Sequence, residues 1–156
     1  MSNQLEEIIA YVEWEPRLSS SGQPTLEQLE AIPEAKFDVV VNLLPEVQVL
    51  EGEPALLHSS GLEYVSRPVV WASPKRHDIE QFFVTLRQLK SRKVFVHCAA
   101  NMRATAFMYL YYVLEEGKDE SEMRAIMNRV WEPNPVWQQF IDQVLQNPPE
   151  KKSTGF

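Results

Sequence analysis

The sequence predicts an α/β fold in which a mostly parallel central sheet of about four to five strands carries helices on both faces. Short apolar runs rich in valine, such as FDVVVNLLP at 37–45 and KVFVH at 93–97, are typical of strands buried on both faces. Other segments repeat apolar residues every three or four positions, as in DIEQFFVTLRQLK from Asp78, which is typical of amphipathic helices. Because strand and helix patterns alternate, a sheet with helical crossovers is favoured.

The first half of the chain contains three predicted helices and two predicted strands. Residues 4–12 have the pattern of a short amphipathic helix, and the stretch EPRLSSSGQPT after it has the Pro, Ser and Gly content of a loop. Thr25 and Gln28 have the T-x-x-Q spacing of a capping box, which predicts a helix over LEQLEAI. After the strand FDVVVNLLP come weak helical spacing in EPALLHSSG and the β-favouring segment LEYVSRPVV, where Pro68 predicts a strand end or a sheet edge.

The second half continues the alternation. The helix from Asp78 leads into the strand KVFVH, and RATAFMYLYYVLEEG after it is apolar on nearly every side, which predicts a helix buried in the middle of the domain. Two further helices, SEMRAIMNRV and PVWQQFIDQVLQ, are expected to be anchored to the core by Trp131 and Trp137. We expect a single domain over residues 1–156 with a frayed tail from about residue 148.

Composition excludes several classes of function. Asp and Glu outnumber Lys and Arg by 22 to 15, and the resulting net charge of -7 would repel a nucleic acid. Cys98 is the only cysteine, so no internal disulfide is expected, and no second ligand pair lies near it at the spacing of a metal site. The N-terminus lacks the pattern of a signal peptide, and no uncharged apolar run approaches the ~20 residues of a membrane span. We therefore expect a cytoplasmic protein with no cofactor, metal, nucleic acid or membrane partner.

The segment VFVHCAANMRATAF places a cysteine between a predicted buried strand and a predicted buried helix. In α/β sheets, ligands bind beyond the carboxyl ends of the strands, which is where Cys98 lies. Backbone N–H groups of the following loop and of the first helical turn, together with the helix dipole, are expected to form an anion site there. The same field favours the thiolate form of Cys98, and Arg103 offers a planar, two-pronged donor to a tetrahedral anion. A nucleophile and an anion clamp are thus predicted at one site.

The order SGQPT, FDVVVNLL, RPVVW and VFVHCAANMR, over roughly residues 15–115, resembles the cysteine-dependent protein tyrosine phosphatase superfamily, and in particular a bacterial branch of dual-specificity-phosphatase-like proteins. The resemblance implies a phosphatase-like fold and a hydrolase that cleaves phosphomonoesters through a phosphocysteine intermediate. It implies that Cys98 is the nucleophile and that His97 orders the loop by hydrogen bonding. The implied partner is a phosphorylated substrate or a small oxyanion, bound by the following five residues: Ala99, Ala100, Asn101, Met102 and Arg103.

The loop between Cys98 and Arg103 is one residue shorter than the superfamily pattern. Four residues separate the two side chains, which is a loop length seen in rhodanese-like sulfurtransferases. The loop has no glycine, and Asn101 is the residue in it that best tolerates a left-handed backbone, so we expect the turn at Asn101. Three functions stay open on these grounds: a phosphomonoesterase, a sulfurtransferase and a catalytically silent oxyanion-binding module.

Two further catalytic groups of the superfamily are displaced in this sequence. Ala104 follows the arginine where the superfamily has a hydroxyl, so Thr105 is the candidate to supply it. Trp71 lies about where the general-acid aspartate is expected, and Asp78 is the only nearby aspartate. Asp78 is at the start of a predicted helix with Gln81 three residues on, which favours helix capping over acid catalysis.

Overall fold

The structure, a computed structural model, describes residues 2–150. Its strands are β1 (Val12–Glu15), β2 (Leu18–Ser21), β3 (Val39–Asn42), β4 (Glu63–Ser66) and β5 (Val94–His97). Its α-helices are α1 (Leu26–Leu29), α2 (Ala31–Glu34), α3 (Glu53–Ser59), α4 (Arg76–Gln88), α5 (Met102–Leu114), α6 (Glu120–Asn128) and α7 (Pro135–Gln146). Short 3-10 helices cover Ser2–Glu7 and Glu46–Gln48.

The strands form one sheet in the order β1-β2-β5-β3-β4. The β1–β2 pair is antiparallel, and the other three pairs are parallel. β5 lies between β2 and β3, so its carboxyl end is surrounded by neighbouring strand ends. β4 is an edge strand that ends at Ser66, just before Pro68, which confirms both predictions drawn from that proline. The predicted α/β class with a mostly parallel sheet is confirmed.

Two apolar clusters cover the two faces of the sheet. Val39 and Val41 of β3 belong to one cluster and Val40 to the other, because successive side chains of a strand point to opposite faces. Side chains of α4, α5, α6 and α7 complete the first cluster, and those of α1, α2 and α3 complete the second. The helices therefore lie on both faces, as predicted.

The helix α5 is the buried central helix that the sequence predicted. Every residue from Arg103 to Tyr112 is buried. Two tyrosine hydroxyls of α5 donate hydrogen bonds to carboxylates: Tyr109 to Glu120 at 2.6 Å, and Tyr112 to Glu15 at 2.6 Å. Burial, together with these carboxylates, raises the pKa of both tyrosines. Apolar as α5 is, no helix in the described part of the chain is long and apolar enough to cross a membrane.

The capping-box spacing of Thr25 and Gln28 predicted the start of α1 correctly. The N–H of Gln28 donates to Thr25 Oγ1 at 3.0 Å, and the N–H of Thr25 donates to Gln28 Oε1 at 3.0 Å. This reciprocal pair is the predicted capping box, and α1 begins directly after Thr25.

The predictions for the N-terminal region are wrong. The segment 4–12 contains the end of a 3-10 helix and the start of β1, and the predicted loop EPRLSSSGQPT contains β2. The serines of β2 resemble loop residues in composition, yet all are buried with bonded hydroxyls. Ser19 Oγ lies 3.0 Å from Tyr11 Oη, and Ser20 Oγ accepts from Trp14 Nε1 at 2.9 Å. A polar strand fits the interior here because its hydroxyls find partners.

Hydrogen bonds fix the chain past residue 148, where the sequence predicted the start of a frayed tail. Arg76 Nη1 donates to the carbonyl of Asn147 at 2.6 Å, and Arg87 Nη2 donates to that of Glu150 at 3.3 Å. Pro149 is buried. Residues 151–156, which make up the rest of the predicted tail, lie outside the described residues.

Candidate active site

Cys98 lies between the carboxyl end of β5 and the N-terminus of α5, at the place predicted for it. It lines a cavity of about 260 Å³ together with Arg103. The other lining residues come from the loop itself and from two more distant segments: Ala99, Ala100, Met102, Gln48 and Trp71. The predicted nucleophile and the predicted anion clamp therefore share one pocket.

The loop turns at Asn101. Its φ of 64° lies in the left-handed region, which confirms the expectation that this residue replaces the missing glycine. Asn101 Nδ2 donates to the carbonyl of Ala10 at 2.6 Å, and this bond fixes the turn. α5 starts at the next residue, so the amides of its first turn have no acceptor four residues earlier in their own helix. These amides and the helix dipole favour a negative charge at the loop.

The segment that follows β2 supports the loop from behind. The N–H of Cys98 donates to the carbonyl of Ser21 at 3.3 Å, and the N–H of Gln23 donates to that of Ala99 at 2.9 Å. Between these bonds, Gly22 pairs with Ala100. A Cβ added at Gly22 would lie 2.6 Å from the carbonyl oxygen of Ala99, so only glycine fits this close backbone approach.

Arg103 is buried at the start of α5, with 5% of its surface exposed. Its Nη1 donates to the carbonyl of Val69 at 2.8 Å, and its Cζ lies 5.7 Å from the centre of the Trp71 ring. The segment 69–71 contains Trp71, which lies about where the sequence resemblance led us to expect a general acid. The guanidinium therefore connects the loop to the opposite side of the pocket.

Trp71 is held by two other tryptophans. Its ring centre lies 5.4 Å from that of Trp131 and 5.7 Å from that of Trp137, and its carbonyl accepts from Trp137 Nε1 at 2.9 Å. Trp137 is fully buried, as expected for an anchor to the core, whereas 38% of Trp71 is exposed. The indole of Trp71 is thus fixed at the mouth of the pocket.

Two of the predicted catalytic residues are not among those that line the pocket. Thr105 Oγ1 donates to the carbonyl of Met102 at 3.1 Å and accepts from Trp131 Nε1 at 3.1 Å. Asp78 Oδ2 accepts from the N–H of Lys75 at 2.9 Å, in the helix-capping role that the sequence favoured, although from the third position of α4. Asp78 lines a separate cavity beside Arg67. The structure therefore places both Thr105 and Asp78 outside the lining of the Cys98 pocket.

His97 contacts a residue that the sequence analysis missed. His97 Nδ1 lies 3.1 Å from the carbonyl oxygen of Cys98, and Nε2 lies 2.6 Å from Oε2 of Glu53. The other carboxylate oxygen of Glu53 accepts from Gln23 Nε2 at 2.9 Å. A glutamate beside a proline is an ordinary start for an exposed helix, so its pattern gave no signal of burial.

These features define the class of protein. A central parallel strand ends in a cysteine, an arginine begins the buried helix that follows, and both side chains line one pocket at the helix N-terminus. This is the architecture of the cysteine-dependent protein tyrosine phosphatase superfamily.

Comparison with solved structures gives the family. The crystal structure of a phosphatase-like protein (DUF442) from Shewanella putrefaciens CN-32 matches with 34% identity and a TM-score of 0.80. The match covers 94% of this chain and 97% of that one. The chain therefore belongs to the DUF442 family of phosphatase-like proteins.

More distant structures share the fold. The core catalytic domain of the PP-IP phosphatase SIW14 from S. cerevisiae, in complex with citrate, is 15% identical over 85% of this chain and 83% of that one, with a TM-score of 0.72. P. aeruginosa TpbA in complex with pTyr is 21% identical over 76% of this chain and 72% of that one, with a TM-score of 0.60. No protein-family model and no curated protein matches the chain.

Proposed function

We propose that this protein hydrolyses phosphomonoesters, with Cys98 as nucleophile and Arg103 as the phosphate clamp. The observation that carries the proposal is the shared pocket of Cys98 and Arg103 at the N-terminus of α5. An anion placed there meets unpaired backbone amides, the positive end of the helix dipole and a guanidinium. Membership in a family of phosphatase-like proteins supports phosphate as that anion.

The reaction proceeds in two displacements. The Cys98 thiolate attacks phosphorus, an Sγ–P bond forms, and the ester P–O bond breaks to release the alcohol or phenol oxygen as an anion that takes a proton from water. Water then attacks the phosphocysteine, which releases inorganic phosphate and restores the thiolate. Arg103 and the loop amides stabilise the charge that builds on the phosphoryl oxygens in both steps.

The lining of the pocket favours aryl phosphates as substrates. No carboxylate is among the described residues that line it, so no group there protonates the leaving oxygen, an aid worth about 10²–10⁴-fold. A phenol leaves without that aid more easily than an alkyl alcohol. The fixed and partly exposed indole of Trp71 offers a stacking surface for the same aromatic group. A catalytic role for Thr105 or for Asp78 stays a prediction, and Asp78→Asn tests the second of these.

Kinetics on a panel of aryl and alkyl phosphates, with Cys98→Ser and Arg103→Ala alongside, tests the proposal. We expect slow aryl phosphate hydrolysis with a steep dependence on leaving-group acidity, and loss of that activity in both variants. Activity that survives in Cys98→Ser would exclude a phosphocysteine route.

The four-residue loop keeps sulfur transfer as the second candidate. Incubation with thiosulfate and cyanide yields thiocyanate, and a persulfide on Cys98, only if the protein is a sulfurtransferase. A protein that is inert in both assays yet binds inorganic phosphate in a titration would be an oxyanion-binding module.

A further inference from the structure

The environment of His97 determines where its protons lie. A carbonyl oxygen only accepts hydrogen bonds, so the 3.1 Å contact with the Cys98 carbonyl requires a proton on Nδ1. On the other side of the ring, Nε2 faces a carboxylate oxygen of Glu53 at 2.6 Å, a distance that requires a proton between the two atoms. One proton therefore lies on Nδ1, and a second lies between Nε2 and Oε2 of Glu53.

The pair is enclosed. The side chains of His97 and Glu53 are both 0% exposed. The second carboxylate oxygen of Glu53 accepts a hydrogen bond from Gln23 Nε2 at 2.9 Å. Both oxygens of this buried carboxylate therefore have partners, which fix its orientation. Among the described residues, His97 is the one ion-pair partner that the structure gives to Glu53.

The other polar groups near the pair leave this arrangement intact. Tyr64 of β4 interacts electrostatically with Glu53. Burial, with the Glu53 charge as a smaller cause, raises the pKa of that tyrosine, so it stays neutral. The hydroxyl of Tyr64 in turn accepts from Asn42 Nδ2 of β3 at 2.9 Å. On the side of Cys98, Arg103 is the charged residue that lines the pocket, and its guanidinium already donates to the Val69 carbonyl.

We propose that Glu53 is a positioning residue that keeps His97 protonated and aligned behind Cys98, and so increases the fraction of Cys98 present as thiolate. Glu53 begins α3, 44 residues before its partner in the sequence, and it is not among the residues that line the Cys98 pocket. The positive end of the pair lies next to Cys98 and the negative end lies farther away. In an enclosed site such an oriented pair favours a negative charge on the sulfur.

The variant Glu53→Gln isolates the charge from the shape. Its amide can donate to His97 Nε2 and its oxygen can still accept from Gln23, so the packing is retained while His97 becomes a neutral ring with its proton on Nδ1. Glu51→Gln is the matched control, because it removes the same charge from an exposed position two residues away. Melting temperatures of the three proteins establish that they fold alike.

Since Cys98 is the only cysteine, alkylation by iodoacetamide reports on its thiolate directly. We expect Glu53→Gln to be alkylated about tenfold more slowly at neutral pH and equally fast at alkaline pH, where every thiol is ionised. Glu51→Gln should behave as the wild type. Turnover of an aryl phosphate should lose kcat by a similar factor with little change in KM.

Nitrogen NMR of the wild-type protein gives a second test that needs no variant. The His97 ring should show two protonated nitrogens at neutral pH. A neutral His97 ring, or an unchanged alkylation profile in a folded Glu53→Gln protein, would overturn the proposal. The inference rests on Cys98 as the nucleophile of the proposed function, yet alkylation and NMR need no turnover. A shifted alkylation profile in a protein that cleaves no phosphoester would refute the phosphatase and leave the role of Glu53 standing.

Discussion

The two sides of the Cys98 pocket are built from different chemistry. We call the segment Cys98–Arg103, together with Ser21–Gln23 behind it, the loop wall, and the segment Val69–Trp71, backed by Trp131 and Trp137, the aromatic wall. The loop wall is fixed by backbone hydrogen bonds and a close approach at Gly22. The aromatic wall is fixed mainly by ring packing.

This difference separates reactivity from substrate choice. Backbone hydrogen bonds and close approaches tolerate little displacement, so a change in the loop wall should reach the nucleophile. Ring packing is less directional, so a change in the aromatic wall should alter what binds while the nucleophile stays in place. Arg103 belongs to the first wall and bonds to the second through the Val69 carbonyl.

Breaking the link between the walls should have the largest effect. Arg103→Lys keeps the charge but loses the planar, two-pronged donor and the geometry of the bond to Val69. We expect kcat/KM for aryl phosphates to fall by about 10²–10³-fold, the cost of losing one preorganised donor to the transition state. Steady-state kinetics measures this, and a loss below tenfold would show that charge alone suffices at this position.

A steric change in the loop wall should have the next largest effect. In Gly22→Ala the new Cβ meets the Ala99 carbonyl and the backbone of Ala100, which cannot move without displacing the loop. We expect unfolding to become easier by about 1–3 kcal/mol, measured by urea denaturation, and turnover to fall with it.

Gly61→Ala is the control for this variant. Its Cβ meets nothing within 4 Å, but φ is +88°, so its cost is backbone strain away from the site. It should lower stability by about 1 kcal/mol and leave turnover unchanged. Equal losses of turnover in the two variants would mean that the close approach at Gly22 does not position Cys98.

Removing the exposed ring of the aromatic wall should change selectivity. Trp71→Ala should raise KM for aryl phosphates by about tenfold, since a stacked aromatic pair contributes about 0.5–1.5 kcal/mol beyond area burial. Alkyl phosphates and inorganic phosphate should bind as in the wild type. Trp71→Phe, which keeps a ring, should recover most of the aryl affinity, and a uniform loss across all ligands would point to a misplaced Arg103 instead.

The smallest effect is expected at Asp78, which belongs to neither wall. Asp78→Asn retains an oxygen that accepts from the Lys75 N–H, so it should cost only about 0.3–1 kcal/mol of stability through the lost charge at the helix N-terminus. Aryl phosphate turnover should be unchanged at every leaving-group acidity. A dependence that becomes steeper in this variant would identify Asp78 as a general acid.

The sequence by itself determined the features that depend on neighbouring residues. The alternation of apolar runs and helical spacing indicated the α/β fold, and the capping box at Thr25 located the start of α1. In the same way, VFVHCAANMR indicated a cysteine between a strand and a buried helix, and Asn101 was the one loop residue suited to a left-handed turn. All of these signals lie within a few residues of the feature they predict.

Only the tertiary structure decided the features that depend on which residues strand pairing and packing bring together, whether six to eight residues apart in the sequence or 44. The serines of β2 look like a loop until Tyr11 and Trp14 supply their hydrogen bonds. Glu53 looks like an exposed helix start until the sheet brings His97 to it across 44 residues. The physical reason is the same in both cases, because a polar side chain can be buried only where a partner satisfies it, and the identity of that partner is set by packing rather than by local sequence.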